Sequence, residues 1–238
     1  MQAIYLKKEE QVRKIFNSIA PRYDLTNTLI SFGIHHFWRK TAIKMVAVPR
    51  GGKIIDVCCG TGMITRDLAR KAGTGGIVVG LDFSIKMLEV ARSRFEHSPC
   101  KALVQFIEAD ANIIPFPDNT FDCATIGYGL RNISDPKRLL LEVKRVVKPG
   151  GRVLSLEMVK PYLPVFKDVY ECYLNHWVPL LGRLLAHNHA AYRYLHDSIA
   201  SFIHKDQISK IYQELNFKDI QCHDLTWGIA VIHLGRKP

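Results

Sequence analysis

Residues 53–63 read KIIDVCCGTGM: a β-branched run carrying Asp56, two cysteines, then Gly60-Thr61-Gly62 opening onto the helical period of residues 63–71. A strand that ends in glycines able to take φ > 0 and leads straight into a helix is the first half of a βαβ unit. The rhythm repeats downstream. Strands are expected at 77–81, 104–108, 121–127 and 152–157. A helix is expected at 84–95 with Ser84 as N-cap. Another opens at Asp135-Pro136 and carries the stripe Leu139, Leu140, Val143, Val146 and Val147, closed by the turn Lys148-Pro149-Gly150-Gly151. Strands alternating with helices imply right-handed crossovers and an α/β domain built on a mostly parallel, Rossmann-like sheet.

The flanks follow other rules. From Lys7 to Ala20, Val12, Ile15, Phe16 and Ile19 fall at i, i+3, i+4 and i+7 before Pro21 stops the run. Shorter helices are expected at 26–31 and after Gly33, the latter with Phe37, Trp38, Thr41, Ala42, Met45 and Val46 toward one side. Residues 161–200 carry aromatics and leucines without a strand signal and read as a helical insertion. After a helix marked by Ile208, Ile211, Tyr212 and Leu215, two strand-like runs, 217–225 and 227–234, stand almost end to end, which only an antiparallel hairpin allows. The organisation expected is one domain: a helical cap (1–48), a cofactor-binding core (49–160), the insertion (161–203) and a terminal helix and hairpin (204–238), with seven strands in the sheet.

Composition narrows the class. The chain has 238 residues, 47% hydrophobic and 23% charged, which excludes disordered and collagen-like proteins. No uncharged apolar run approaches the roughly 18 residues that span a bilayer, and the charged start is unlike a signal peptide, so a cytoplasmic protein is expected. The net charge is +11, and residues 1–50 hold nine Lys/Arg against three Asp/Glu. Such a bias suits nucleic acid, an anionic membrane or an acidic substrate equally. Six cysteines without C-x-x-C, and paired histidines at 35/36 and 187/189 without ligand-spaced partners, predict buried thiols and no metal site.

In a doubly wound sheet the ligand sits beyond the carboxyl ends of the strands, where strand order reverses. Three candidate features meet there. Asp56, Cys58, Gly60, Thr61 and Gly62 form the turn after the first strand, where backbone can approach a ligand closely. Asp82, followed by Phe83, ends the second strand and offers an anionic acceptor for both hydroxyls of a ribose. Asp110 and Ala111 end the third, placed to receive an adenine amino group. A dinucleotide site would require a third glycine where Thr65 stands, and no phosphate loop is present. An adenosine-bearing cofactor without phosphates, S-adenosylmethionine, fits best.

Beyond these residues the sequence resembles a family. FNSIAPRYDLTN (16–27), SFGIHHFWRK (31–40), IPFPDNTFD (114–122), GLRN (129–132), RVVKPGGR (145–152) and YRYLHDSI (192–199) are similar to segments of the ubiquinone/menaquinone biosynthesis C-methyltransferases, from about Val12 to the last residues. The resemblance implies the class I methyltransferase fold, with Thr61, Asp82, Asp110 and Ala111 as cofactor contacts. Gly127 and Tyr128 stand where the family usually has serine and phenylalanine, which removes one hydroxyl from the cofactor side.

The implied reaction moves a methyl group from S-adenosylmethionine to a ring carbon of a polyprenyl quinol, demethylmenaquinol or a benzoquinol. A carbon nucleophile of this kind needs its ring hydroxyl deprotonated and a dry pocket rather than a protein nucleophile. Arg131 is the expected stabiliser of the quinolate, with Tyr128 and His35 as further catalytic candidates and Tyr23, Asn132, Tyr192 and Arg193 as substrate-binding ones. A surface pairing of Arg131 with Asp135 is the plain alternative. A lipid-tailed substrate suggests that the basic N-terminal helices rest peripherally on the inner face of a membrane, the alternative being that their apolar stripe only covers the sheet. A nucleic-acid partner is not expected, because the Asn/Asp-Pro-Pro-aromatic turn of base-amino methylation is replaced by Gly127-Tyr128-Gly129-Leu130. A silent S-adenosylmethionine-binding scaffold and a homo-oligomer both remain compatible with the sequence.

Overall fold

The computed structural model describes residues 2–160, 173 and 189–238. Three helices come first: α1 (Gln2–Ile19), α2 (Tyr23–Ile30) and α3 (His35–Val46). The alternating core follows as β1 (Lys53–Val57), α4 (Met63–Ala72), β2 (Ile77–Asp82), α5 (Ile85–Phe95), β3 (Val104–Glu108), β4 (Phe121–Gly127), α6 (Pro136–Val146) and β5 (Val147–Met158). The chain then gives α7 (His189–Ser201), α8 (Lys205–Glu214), β6 (Lys218–Leu225) and β7 (Ala230–Arg236). Most of the expected insertion lies outside the described residues; its last part is α7.

The seven strands are ordered β3-β2-β1-β4-β5-β7-β6. The first five are parallel; β7 runs antiparallel to β5 and β6 antiparallel to β7. The order turns back between β1 and β4, which is the switch point. Central strands are apolar on both faces, as a sheet covered twice requires. Ile55 and Val57 of β1 pack with Leu139, Leu140 and Val143 of α6, while Ile54 joins Trp38, Ala42 and Val46 of α3 and Leu68 and Ala69 of α4.

The helix starts obey local chemistry. Ser84 Oγ accepts from Met87 N at 3.2 Å and Asp135 Oδ1 from Arg138 N at 3.0 Å, with Pro136 at the first turn of α6. Two local readings are revised. Lys148–Gly151 does not separate α6 from a strand starting at Arg152: β5 begins at Val147, opposite Phe121, with an irregular register between Phe121 and Cys123. Gly150 N donates to Lys237 O and Lys237 N to Gly151 O, both at 2.9 Å, so the chain terminus supplies partners that a free turn lacks. In the terminal hairpin β7 starts at Ala230 rather than 227, because Thr226, Trp227 and Gly228 all take positive φ and form a tight connection.

Gly62 shows why the turn after β1 uses glycine. It has φ +78°, and a Cβ there would lie 3.2 Å from Phe106 and 3.3 Å from Ala91 and Phe95. Gly62→Ala is expected to cost about 2–4 kcal/mol, combining left-handed backbone strain with overpacking. Urea denaturation measures it; a loss below the cost of the strain alone would mean that the turn repacks.

Candidate active site

Register levels the strand tips. Val57 of β1 pairs with Leu81 of β2 and Ile126 of β4, so Cys58, Asp82 and Gly127 stand side by side, and Asp82 pairs with Glu108, which puts Ala109 and Asp110 just beyond the same edge. A cavity of about 580 Å³ lies there. Its floor is Cys58, Gly60, Asp82, Asp110, Ala111 and Gly127, with Phe83 at one side. Its cover is α1, through Glu10, Val12, Arg13 and Phe16. Phe16 meets Phe83, Tyr23 and Tyr194 edge-on at centroid distances of 6.4, 6.0 and 6.4 Å. The apolar stripe of α1 therefore both seals this cavity and packs its other residues, Ile15 and Ile19, beside Ile30 and Ile199.

Asp82 is fixed by backbone. Its Oδ2 accepts from Gly60 N at 2.8 Å and its Oδ1 from Ser84 N at 2.9 Å, leaving each oxygen a further acceptor site. Burial pushes its carboxyl up to about 6 against those two amides. Asp110 Oδ1 accepts from Asn112 N at 2.8 Å, which holds the turn after β3.

A second, small cavity of about 70 Å³ adjoins the first, sharing Tyr23, Cys58, Gly60, Gly127 and Tyr128 with it and adding Asp56, Thr61, Asp24 and His35. Asp56 is fully buried, accepts from Thr65 Oγ1 at 2.6 Å and Thr125 Oγ1 at 2.7 Å, and burial lifts its carboxyl to about 7. The Thr61 hydroxyl donates to Asp24 Oδ1 at 2.7 Å, and Arg94 pairs with the other oxygen of Asp24. Asp24 thus latches the helical cap to the glycine turn. Gly62 lines neither cavity; its place is set by packing.

A third cavity, about 620 Å³ and predominantly apolar, lies toward β5 and β7, lined by Ile30, Phe32, Ile34, Trp38, Met158, Leu195 and Ile229 among others. Tyr23 and Tyr128 line both large cavities and so form the wall where they meet. Tyr128 has φ +58°, burial pushes its phenol far above the ordinary range, and its buried hydroxyl has no hydrogen-bond partner among the described residues. It stays a donor rather than a base. Burial raises the Tyr23 phenol as well.

Arg131 reaches the apolar cavity and its side chain is only 6% exposed. It does not pair with Asp135, which caps α6. Its Nη1 pairs with Glu157, 1% exposed at the end of β5, and donates to Tyr128 O at 3.0 Å. Glu157 also accepts from Arg131 N at 3.2 Å and Met158 N at 2.9 Å. Burial works against the guanidinium charge, but Glu157 overcomes it and holds the pKa above its ordinary value. The Arg131 Nε is buried with no partner among the described residues.

His35 lines the apolar and the small cavities. Half-buried and flanked by His36 and Arg39, it is lowered to about 4, so it is neutral at neutral pH. Its tautomer follows from Ser31. The Ser31 hydroxyl lies 2.7 Å from Asn27 O and 2.6 Å from His35 Nδ1; both contacts are hydrogen bonds at once when the hydroxyl donates to Asn27 O and the ring proton is assigned to Nδ1, which leaves the lone pair on Nε2.

The remaining candidates divide. Asn132 lines the 580 Å³ cavity, but its amide is engaged: Nδ2 donates to Tyr128 O at 3.0 Å and Oδ1 accepts from Tyr194 at 2.8 Å, so it braces the turn after β4. Arg193 is exposed on α7 and lines none of these cavities. The side chain of Tyr192 lies outside the described residues. Asp24, Asn27, Tyr194 and Glu157 belong to the site without having been singled out from sequence. Asp24 and Asn27 are the D and N of RYDLTN; nothing local marks Glu157.

This sheet order with this cavity at its switch point defines a class I S-adenosylmethionine-dependent methyltransferase. Solved structures with the same fold include an S-adenosylmethionine-dependent methyltransferase from Aquifex aeolicus (TM-score 0.60, 17% identity, 83% of this chain and 88% of that one). Another from Thermotoga maritima has a TM-score of 0.65 at 20% identity, covering 95% of this chain and all of that one. The chain belongs to the ubiE/COQ5 methyltransferase family, whose sequence model matches residues 4–237. It is similar to the demethylmenaquinone methyltransferases of Desulfitobacterium hafniense (42% identical, covering 97% of this chain and 91% of the relative), Geobacillus sp. WCH70 (42%; 98% and 100%) and Staphylococcus aureus MRSA252 (41%; 96% and 94%).

The buried ion pair fixes how this site responds to mutation. Arg131→Met leaves Glu157 charged and without its counter-ion and is expected to cost about 3–5 kcal/mol, most of it recovered when Glu157→Gln is added. Equal denaturation midpoints for the single variant and the wild type would refute this account.

Proposed function

We propose that the protein methylates a ring carbon of demethylmenaquinol, giving menaquinol. The observation that carries the reading is the wall of Tyr23 and Tyr128: among the described residues, a cavity tipped with two carboxylates meets a more apolar one of similar size there. The names of the relatives favour this substrate.

The cofactor fits the first cavity on its own chemistry. Two carboxylates stand at neighbouring strand tips, one fixed by backbone amides with acceptor capacity to spare, in a volume suited to a nucleoside. Asp82 would hold the ribose hydroxyls, Asp110 and Ala111 the adenine edge, Phe83 the base or sugar face, and Cys58, Gly60 and Gly127 the remainder through backbone, with Asp56 and Thr61 positioning that turn from beneath. Bound S-adenosylmethionine supplies an electrophilic methyl group.

The protein's own part is to make a ring carbon nucleophilic. His35 Nε2 takes the proton of the quinol hydroxyl, and the charge left on oxygen is stabilised by Arg131, kept cationic by Glu157 in a water-poor setting where such stabilisation is largest. Tyr128 donates to the same oxygen. Electron density then moves to the adjacent carbon, which would form its bond to the methyl group as the bond from sulfur to that methyl breaks. The carbon's hydrogen leaves as a proton when the ring regains aromaticity and His35 returns its proton to the oxygen, so that one proton is released to solvent overall. Apolar side chains hold the tail.

Incubation with S-adenosylmethionine and a short-tailed demethylmenaquinol, read by mass spectrometry, should show the quinone heavier by one CH2; its absence with folded protein and reduced acceptor ends the reading. His35→Gln should lower kcat by about a hundredfold or more, the contribution of a positioned base. Asp82 accepts hydroxyls best as carboxylate and titrates near 6. Affinity for S-adenosylhomocysteine should therefore weaken as pH falls through that value, roughly tenfold between pH 7.5 and pH 5, by calorimetry. An affinity independent of pH would remove Asp82 from the ribose.

A further inference from the structure

Phe32 and Ile34 line the apolar cavity and are themselves exposed, Phe32 by 73%, so the turn between α2 and α3 is part of the cavity's rim. The β6–β7 connection is another part. Thr226 lines the cavity and accepts from Trp38 Nε1 at 2.7 Å, which fixes the hairpin tip to α3. The next residue, Trp227, is 61% exposed. Both take φ near +50°, a conformation that β-branched and bulky residues avoid, so the backbone carries strain at the point that puts an indole outside. Phe37, at the first turn of α3, is exposed as well.

Large exposed apolar residues are ordinarily scattered. Here Phe32 and Ile34 line one opening, Trp227 follows directly on the lining residue Thr226, and Phe37 comes three positions after Ile34. The charges beside Phe37 on α3 are positive. Lys40 and Lys44 are exposed three and seven positions after Phe37, on the same face of α3, and Arg22 and Arg50 are exposed at the ends of the segment. Aromatic side chains flanked by lysines match the boundary between headgroups and acyl chains of an anionic membrane.

We propose that this rim docks on an anionic lipid bilayer. Phe32, Phe37 and Trp227 enter the headgroup boundary, Lys40 and Lys44 meet lipid phosphates, and the mouth of the apolar cavity opens directly onto the acyl region. The proposal rests on the lipid-tailed acceptor proposed above and gives that tail its route: it passes from bilayer to cavity without crossing water. The docking surface is then the α2–α3 turn and the hairpin tip, not the stripe of α1, which is used inside the protein.

The test is sedimentation of the whole protein with vesicles of phosphatidylcholine, or of phosphatidylcholine mixed with phosphatidylglycerol. Turnover is measured in parallel on a short-tailed demethylmenaquinol in solution and a long-tailed one in the vesicles. The wild type should sediment with the mixed vesicles, less so at high salt. Phe37→Ser with Trp227→Asn touches no cavity-lining residue, and asparagine tolerates the left-handed backbone. This pair should reduce binding about tenfold or more and long-tailed turnover with it, leaving short-tailed turnover unchanged. Lys40→Glu with Lys44→Glu should remove the preference for anionic vesicles. Normal short-tailed turnover without sedimentation, or a Phe37/Trp227 variant that binds as well as wild type, overturns the docking surface. So does a dimer in ultracentrifugation that this variant abolishes, because the patch would then belong to a second copy. Sedimentation without turnover on either acceptor would leave the surface standing and overturn the proposed function instead.

Discussion

Parallel register at the switch point is the constraint from which the site follows. Because Val57, Leu81 and Ile126 are paired across three strands, every residue one step beyond them is delivered to a single edge, whatever the helices between them do. Asp82 owes its orientation to that levelling: one of its oxygens reaches the amide of Gly60 on the neighbouring strand's turn, the other the amide of Ser84 at the next helix. A shift of one residue in β2 would turn the carboxylate to the opposite face of the sheet and break both contacts.

The second constraint is that a buried cation must be compensated. Arg131 arrives from the turn after β4 and Glu157 from the end of β5, neighbouring strands whose register makes the pair reachable. The same guanidinium tethers the carbonyl of Tyr128, as does Asn132, so the residue with the least favourable backbone in this turn is held from two sides. Charge placement and backbone geometry here are one arrangement.

What could be read from sequence was what is local. Strand and helix periods, the caps Ser84 and Asp135, the closing hairpin and the carboxylates at the tips of β2 and β3 depend on residues a few positions apart. Two local readings are revised: Lys148–Gly151 is drawn into β5 by the distant Lys237, and the hairpin connection is lengthened by three left-handed residues of its own. The site shows the same division. Glu157 is invisible as a partner because 26 residues separate it from Arg131. The part played by Asp24 depends on Thr61 and Arg94, 37 and 70 residues away. Gly62 looked like a ligand contact but is required by three side chains that only the folded core brings to it.

Among the described residues the two large cavities share only Tyr23 and Tyr128: one is walled by α1 and the turn after β3, the other by the α2–α3 turn and the β6–β7 connection. With cofactor and acceptor assigned to them as proposed above, each reactant would have a chamber of its own, so neither has to wait for the other, and steady-state kinetics should follow a random rather than a compulsory order of addition.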